Sequence, residues 1–321
     1  MKITNNLIQL IKKTTLLEKL ISILIIIIII RIFSNLIYNK EGLSNNLNSA
    51  RELTTVTGKN IFDEFYVNIY DDLVYDGEKN NYEVEKVINA KEPNMKSYIL
   101  DIGCGTGHHI KLFNDKNINS IGIDFSPFMI KKAKENYPKL NFKTCDALTT
   151  LEFQPDTFTH ITCFYFTIYY IKNKKQFLEN CFNWLVPGGV LILHLVDMNS
   201  FDPIIPIANP FVIISPQNYT PNRITESIVK FDTIDYKSNF KLDKSIDPNT
   251  TSLKSPNAVF KEILKFKDSN TIRINEHKFY MSSQRSILSI AKSVGFVLKA
   301  QDHMDTIEYD YNYLYTLEKP L

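Results

Sequence analysis

The sequence lacks an excess of charge of either sign. Its 321 residues include 37 lysines and arginines against 35 aspartates and glutamates, and no long basic tract interrupts the chain. Proteins that bind the phosphate backbone of nucleic acids concentrate positive charge on one surface. The composition therefore disfavours nucleic acid as a partner. Hydrophobic residues make up 44% of the chain, enough for one large domain with an appendage or for two modest domains.

Cysteine is scarce, and its spacing is unlike that of a metal site. No CxxC pair or zinc-finger spacing occurs among the four cysteines, which are Cys104, Cys145, Cys163 and Cys181. All four lie in or beside apolar segments. We therefore expect free, buried thiols, with neither a disulfide framework nor a metal site.

Long apolar runs are also rare, with one exception near the N-terminus. Residues 20–30 carry no charge, and apolar residues resume after Arg31 as far as Ile37. At about 1.5 Å per residue the uncharged part spans roughly 16 Å of a hydrocarbon core about 30 Å thick, whereas residues 20–37 would nearly cross it if Arg31 reached an interface. The run predicts a single-pass or interfacial membrane anchor. A cleaved secretory signal peptide and a buried core helix are the alternatives.

The chain behind this run divides into a polar linker and a folded domain. Residues 40–57 are polar and rich in asparagine, so we assign residues 1–57 to an anchor helix and linker and residues 58–321 to the folded domain. After two helical patterns, short apolar strands alternate with amphipathic helices from Tyr98 to Val196. This alternation predicts an α/β fold in which helices cover both faces of a parallel sheet.

The pattern changes after Met198. A proline-rich stretch leads into segments with period-two alternation, which predict an antiparallel β insert over residues 198–281. The segment SSQRSILSIAKSVGF then has a serine at the start and a glycine at the end of a helical pattern. Two final strands are expected, over about residues 296–303 and 307–317.

The stretch YILDIGCGTGHHI places a glycine-rich turn between the first strand and a helix. Such a turn lets a ligand approach the backbone and the helix N-terminus. The glycines are spaced GxGxG, and His108 stands where the dinucleotide fingerprint GxGxxG requires its last glycine. Asp101 would repel a pyrophosphate but suits a ligand with a cationic group. The absence of GK[ST] from the segment after the turn excludes a P-loop.

A second acid ends the second strand. Asp124 stands at the position where a carboxylate can accept hydrogen bonds from both hydroxyls of a ribose. The two acids together indicate a ligand with a ribose and a positive charge but without a phosphate.

The order of these motifs resembles that of the class I S-adenosylmethionine-dependent methyltransferases. The similarity covers residues 99–197 and consists of DIGCGTG, GIDFSPFMIKKAKENYP, CDA and LVPGGVLIL, in that order. A lone GxGxG would be weak support, whereas the whole series is specific. The resemblance implies a Rossmann-like seven-stranded sheet whose last strand is antiparallel, with S-adenosylmethionine as cofactor. Because that cofactor is made in the cytosol, the folded domain is expected on the cytosolic side.

The resemblance also assigns residues to parts of the cofactor. They are Asp101, Gly103, Cys104, Gly105 and Gly107 for the methionine part, Asp124 for the ribose, Phe125, Met129, Asp146 and Ala147 for the adenine, and Phe164 with Tyr165 for the sulfonium. Tyr70 and Tyr75 resemble tyrosines of an N-terminal helix that closes over the cofactor. Phe125 and Met129 are equally consistent with plain core positions. His108 is expected to face solvent.

Methyl transfer from a sulfonium is an in-line displacement, so a base is needed only when the nucleophile has a proton to lose. The candidates at the carboxyl ends of the strands are His194, Asp197 and Tyr165. His194 is equally consistent with a core histidine, and His277 and Tyr280 at the end of the insert are weaker candidates.

The acceptor is expected to be a small or lipophilic molecule. The insert occupies the place of a substrate lid in related enzymes, and it is aromatic and weakly charged, unlike a groove for a nucleic acid strand. Two alternatives are a methyltransferase of protein or RNA, including a capping role, and a binding module without activity. The intact glycine turn, Asp124 and Asp146 disfavour the second of these.

Overall fold

Two β-sheets organise the residues that this computed structural model describes, which are 52–149, 151–203, 222–247, 249–250, 253–269 and 271–321. The strands are, in chain order, β1 (Leu53–Thr57), β2 (Tyr98–Ile102), β3 (Asn119–Asp124), β4 (Phe142–Thr144), β5 (Phe158–Cys163), β6 (Leu185–Val196), β7 (Glu226–Lys230), β8 (Ile234–Leu242), β9 (Ala258–Phe266), β10 (Ile272–Phe279), β11 (Val297–His303) and β12 (Asn312–Glu318). The helices are α1 (Glu64–Val74), α2 (Gly77–Ala90), α3 (His108–Asp115), α4 (Pro127–Asn136), α5 (Thr167–Tyr170), α6 (Lys174–Trp184) and α7 (Gln284–Val294), with 3-10 turns at Gly58–Ile61 and Asp305–Ile307.

The large sheet has the strand order β11–β12–β6–β5–β2–β3–β4. From β4 to β6 every neighbouring pair is parallel, whereas β12 is antiparallel to both β6 and β11. The helices α3 to α6 lie between these strands in the sequence, and α2 directly precedes β2. The predicted α/β class is confirmed.

Apolar clusters lie on both faces of the large sheet. Successive residues of a strand point to opposite faces, and Ile99 and Leu100 of β2 belong to different clusters. Ile99 shares its cluster with Val84 of α2 and Phe113 of α3, whereas Leu100 shares its cluster with residues of α6 such as Trp184. Burial on both faces explains why these strands are continuously apolar in the sequence.

Local signals set the ends of the helices. The Ser126 hydroxyl accepts a hydrogen bond from the Met129 N–H at 3.2 Å, and Pro127 follows it as the first helical residue. The Ser283 hydroxyl likewise accepts from the Ser286 N–H at 3.1 Å, and α7 stops at Gly295, whose φ is 119°. The serine cap and the glycine stop expected for α7 are present, and Ser126 caps α4 in the same way.

The small sheet has the order β1–β10–β9–β8–β7, with β1 parallel to β10 and the other pairs antiparallel. Helix α1 packs against it, because Tyr66 and Leu73 share a buried cluster with Tyr236 and Leu264. The prediction that the linker extends to Thr57 is therefore wrong, since residues 53–57 form an edge strand. The partner strand lies far away in the sequence, so no local pattern marks β1.

The predicted localisation on a membrane is corrected by the structure. Among the described residues, none of the helices combines the length and the apolarity needed to cross a membrane. Residues 20–37, which carried the prediction of an anchor helix, lie outside the described residues.

Arg273 of β10 ties the small sheet to the start of α1. Its guanidinium donates to both carboxylate oxygens of Asp63, at 3.1 and 2.8 Å, and to the Ile61 carbonyl at 3.1 Å. Asp63 in turn accepts from the Tyr66 N–H at 3.0 Å as the N-cap of α1. This ion pair, in which Nη1 faces both carboxylate oxygens, fixes where α1 begins relative to β10.

We expect Arg273→Met to lower the free energy of unfolding by about 1–3 kcal/mol, because hydrogen bonds to charged groups are lost at a partly exposed site. Arg285→Met is the matched control, since Arg285 is exposed on α7. The control should change the free energy of unfolding by less than about 0.5 kcal/mol. Urea denaturation checks both, and equal midpoints for the two variants would contradict the role of Arg273.

Candidate active site

A cavity of about 560 Å³ opens at the carboxyl ends of β2, β3 and β5. Its size lies within the range of small-molecule and cofactor sites. One wall comes from the glycine turn and the ends of these strands, and another from β8, β9 and β10 of the small sheet. Residues of α1 and of the turn Gly58–Ile61 line it as well. The carboxyl edge of a parallel sheet is where ligands bind in open α/β folds.

The glycine turn has the left-handed backbone that only glycine adopts readily. Gly103 has a φ of 76°, and a Cβ there would lie 2.4 Å from the Thr167 hydroxyl. Gly107 has a φ of 95°, and its Cβ would lie 2.7 Å from the Phe142 ring. These two glycines are thus required by contacts within the chain. At Gly105, whose φ is 53°, an added Cβ would meet only the Tyr70 ring at 3.6 Å among the described residues, so this side of the backbone is open to a ligand.

Asp124 at the end of β3 is held against this turn. Its carboxylate accepts hydrogen bonds from the Gly105 N–H at 3.2 Å and from the Ser126 N–H at 2.8 Å. The residue lines the cavity and is 8% exposed. Burial raises the pKa of Asp124 to about 6, although the two N–H groups oppose that shift. The result is a carboxylate that has few protein partners and faces the cavity.

Most residues that the sequence assigned to the cofactor lie on this cavity. The lining includes Gly103, Cys104, Gly105, Asp124, Phe125, Met129, Asp146, Ala147, Phe164 and Tyr75. Lys59, which the sequence did not single out, also lines the cavity. It pairs with Asp146 at 2.7 Å, and its ammonium lies 5.3 Å from the centre of the Phe125 ring.

Asp101 and Gly107 do not line the cavity. Asp101 accepts from the Thr162 hydroxyl at 2.7 Å, while its Oδ2 has no hydrogen-bond partner among the described residues. Burial raises the pKa of Asp101, against the opposing influence of His109 and Thr162. That oxygen lies 4.0 Å from His109 Nδ1, so Asp101 faces His109 behind the glycine turn rather than the cavity.

The structure places His194 and Asp197 away from the cavity. The His194 ring bonds to Glu83 at 3.1 Å and to Asn312 at 3.0 Å, and it is fully buried. The Asp197 carboxylate accepts from the Asn199 N–H at 3.0 Å and the Ser200 hydroxyl at 3.2 Å. Neither residue lines the cavity, so neither is retained as a candidate base.

Tyr165 does line the cavity, with a strained backbone. Its φ is 50°, in the left-handed region that a non-glycine residue rarely adopts. The Tyr165 N–H lies 3.2 Å from His194 Nδ1, the nitrogen that also faces the Glu83 carboxylate. His194 therefore packs against the backbone of Tyr165 at the end of β5, which is a structural role.

The structure also corrects the expectation that His108 faces solvent. His108 Nε2 lies 3.1 Å from Asp71 of α1, and Tyr75 packs on its ring with the centroids 4.2 Å apart. Asp71 also accepts from the Thr106 hydroxyl at 2.6 Å. His108 thus helps to close α1 over the glycine turn.

Sequence reasoning missed two buried carboxylates that organise the cavity. Glu83 of α2 bonds to Lys79 at 3.1 Å and to His109 at 2.8 Å, and both of these residues line the cavity. Glu262 of β9 bonds to His277, which also lines it. One sequence feature could have pointed to these buried carboxylates. Asn275 and His277, two residues apart on β10, are polar residues on one buried face of the strand.

Comparisons with known proteins agree with this geometry. A family described as "Methyltransferase domain" matches residues 99–189. A probable S-adenosylmethionine-dependent methyltransferase of Mycolicibacterium smegmatis is 27% identical over 105 residues, covering 33% of this chain and 40% of that protein. The trans-aconitate 2-methyltransferase of Methylobacterium radiotolerans is 33% identical over 103 residues, covering 30% of this chain and 37% of that protein. The chain thus spans less than half of either relative.

A solved structure extends the likeness beyond this segment. S-adenosylmethionine-bound CalS10, an amino pentose methyltransferase from Micromonospora echinaspora, superposes with a TM-score of 0.55 over 79% of this chain and 96% of that chain, at 16% identity. At such an identity the likeness shows the fold alone. The family match, in contrast, runs through the strands and turns that build the cavity. Residues 99–189 therefore carry a methyltransferase domain, similar in sequence to S-adenosylmethionine-dependent methyltransferases.

Proposed function

We propose that the protein transfers the methyl group of S-adenosylmethionine to a small, largely apolar acceptor. The observation that carries this proposal is a single cavity that joins the glycine turn and Asp124 to an aromatic wall. The wall comes from the small sheet and includes Phe240, Phe260 and Phe279. A cavity with these two halves has room for a polar cofactor beside an apolar acceptor.

The residues of the first half fit the cofactor. Gly105 offers an open backbone, and the Asp124 carboxylate would accept from the ribose hydroxyls. Phe125 and Met129 would contact the adenine, with Asp146 at its amino edge, and the sulfonium would lie near Phe164 and Tyr165. Lys79, which is buried and lines the cavity, would face the carboxylate of the methionine part.

The second half supports a small acceptor. Its aromatic rings offer apolar contact and stacking, and the two relatives named above act on trans-aconitate and on an amino pentose, both small molecules. We assign residues 53–321, which begin with β1 because it pairs with β10, to the methyltransferase domain and residues 198–281 to a substrate cover. In support, Phe240, Phe260, His277 and Phe279 from the second range all line the cavity.

The cofactor supplies an electrophilic methyl group on a sulfonium, and the chain's own residues bind, orient and exclude water. The turn at Gly105 and Asp124 would fix the adenosyl part, so that the acceptor approaches from the side of the small sheet. The aromatic wall keeps this side apolar, which limits competition from water.

Asp124→Asn should weaken binding of S-adenosylhomocysteine by about 10- to 100-fold, because each hydrogen bond to a charged group contributes about 1.5–3 kcal/mol. Isothermal titration calorimetry measures the affinity. Asp72→Asn is the matched control, since Asp72 is an exposed residue of α1 outside the cavity. An unchanged affinity in Asp124→Asn would show that the ribose lies elsewhere.

The affinity for S-adenosylhomocysteine should also fall as the pH drops below about 6, the pKa to which burial raises Asp124. Protonation removes the negative charge that accepts from the ribose, so binding is strongest above this pH. The same titration at neutral pH and below pH 6 checks this. Asp124→Asn should lose this part of the pH dependence, and an identical dependence in both proteins would contradict the assignment.

The class of acceptor is tested with cofactor that carries a labelled methyl group. We expect label from fractionated cell extract to enter small molecules when the protein is added. Asp124→Asn serves as the control that separates this transfer from background. Label that enters protein or RNA instead would replace the proposed acceptor class with a macromolecule.

A further inference from the structure

A buried carboxylate lies behind the aromatic wall of the cavity. Glu262 of β9 is 1% exposed. Its Oε1 accepts hydrogen bonds from the hydroxyls of Tyr66 at 3.1 Å and Tyr236 at 2.8 Å. Its Oε2 accepts from the Asn275 side-chain amide at 3.0 Å and from His277 Nε2 at 2.8 Å. The carboxylate is thus fully satisfied by donors.

These contacts fix which nitrogen of His277 carries a proton. Burial alone would raise the pKa of Glu262, but the hydrogen bonds that it accepts from His277, Asn275 and Tyr236 oppose this and favour the ionised carboxylate. Glu262 is therefore an acceptor at neutral pH, and His277 Nε2 must donate to it. In the neutral ring this leaves the lone pair on Nδ1.

Tyr170 lies at that lone pair. Its hydroxyl oxygen is 2.6 Å from His277 Nδ1, and both residues line the cavity. Burial raises the pKa of Tyr170 far above its usual range, with support from Tyr70 and Glu262, so the phenol keeps its proton. It therefore donates to Nδ1, and its oxygen can accept a further hydrogen bond.

The pair lies close to the cofactor side of the cavity. The Phe62 ring is 5.8 Å from the ring of Tyr170 and 5.9 Å from that of His277, and it is 5.5 Å from Phe125. Thr167, at the other end of α5 from Tyr170, lies against Gly103 of the glycine turn. The same short helix therefore touches the cofactor turn and carries Tyr170.

We propose that Tyr170, His277 and Glu262 form a chain that accepts the proton of an acceptor hydroxyl group, which makes the substrate an alcohol or a phenol. This inference rests on the proposed methyltransferase function. Tyr170 touches the acceptor and His277 takes the proton, whereas Glu262 is a positioning residue that fixes the His277 tautomer and stabilises the imidazolium. A neutral hydroxyl is a weak nucleophile and gains most from such a base.

The atoms and charges of the step balance. The bond between the sulfonium sulfur and the methyl carbon breaks with its electron pair left on sulfur, and the acceptor oxygen forms the new bond to that carbon. The acceptor proton passes to the Tyr170 oxygen while the Tyr170 proton passes to His277 Nδ1. The positive charge that leaves the sulfonium is then carried by the imidazolium beside the Glu262 carboxylate.

A chromophoric phenol tests the chain without turnover. 4-Nitrophenol, whose phenolate absorbs visible light, is added to the full-length protein saturated with S-adenosylhomocysteine, at a pH below the pKa of the free probe. We expect the bound probe to be about tenfold or more ionised than the free probe, because its proton is taken up beside Glu262. The titratable groups around His277 are Glu262 of β9, Tyr66 of α1, Tyr170 of α5 and Tyr236 of β8.

Three variants locate the effect. Tyr170→Phe and His277→Asn should abolish the excess ionisation. In Glu262→Gln the imidazolium loses its counter-charge, so the phenolate should appear only near the pH at which the free probe ionises. If Glu262 were merely structural, Glu262→Gln would lower the affinity for S-adenosylhomocysteine, but the bound probe would ionise at the same pH as in the wild type. Tyr315→Phe is the matched control, since it removes a hydroxyl outside the cavity.

Each outcome decides for or against the chain. The chain is supported if excess phenolate forms in the wild type and in Tyr315→Phe but not in Tyr170→Phe or His277→Asn. These two variants must still bind S-adenosylhomocysteine with the wild-type affinity. No excess phenolate at any probe concentration, or the same excess in all variants, overturns it. A wild-type protein that binds S-adenosylhomocysteine but leaves the probe protonated contradicts this inference alone. A folded protein that fails to bind S-adenosylhomocysteine contradicts the proposed function itself.

Discussion

The position of the Asp124 carboxylate is the constraint on which the site depends. Two backbone N–H groups, from Gly105 and Ser126, hold it at the end of β3. The Gly105 bond joins Asp124 to the turn after β2, so the two neighbouring strands deliver one rigid edge rather than two independent loops. Because the buried carboxylate has these two donors among the residues that the structure describes, it keeps acceptor capacity that they do not use. A ligand with two adjacent hydroxyl groups could donate to these free acceptor positions.

The cavity is closed by parts of the chain that are far apart in sequence. Strand β1 pairs with β10, and α1 packs between the small sheet and the glycine turn through the contacts of Arg273 with Asp63 and of Asp71 with His108. The segment before the large sheet and the segment after β6 thus form one cover. Buried carboxylates on two sides, Glu83 and Glu262, hold histidines through their hydrogen bonds. Each such carboxylate is compensated by donors, as buried charge requires.

The sequence predicted what is encoded locally and missed what depends on distant pairing. The glycine turn, the alternating strands and the caps at Ser126 and Ser283 follow from patterns a few residues long, and the structure has them. Strand β1 was taken for linker because its partner β10 comes from the other end of the domain. His194 illustrates a different limit. The local sequence of an apolar strand is the same whether its histidine faces a cavity or, as here, bonds to Glu83 inside the core. The contacts of Glu262 with Tyr66, Tyr236 and His277 join segments that are far apart in the sequence. The spacing of residues along the chain cannot predict such contacts.

The position of the ribose at Asp124 is tested by a structure of the protein in complex with S-adenosylhomocysteine. We expect the adenosyl part in the cavity, with both ribose hydroxyls within hydrogen-bond distance of the Asp124 carboxylate and the sulfur on the side that faces Tyr170. The ligand bound elsewhere, or its ribose turned away from Asp124, would contradict it.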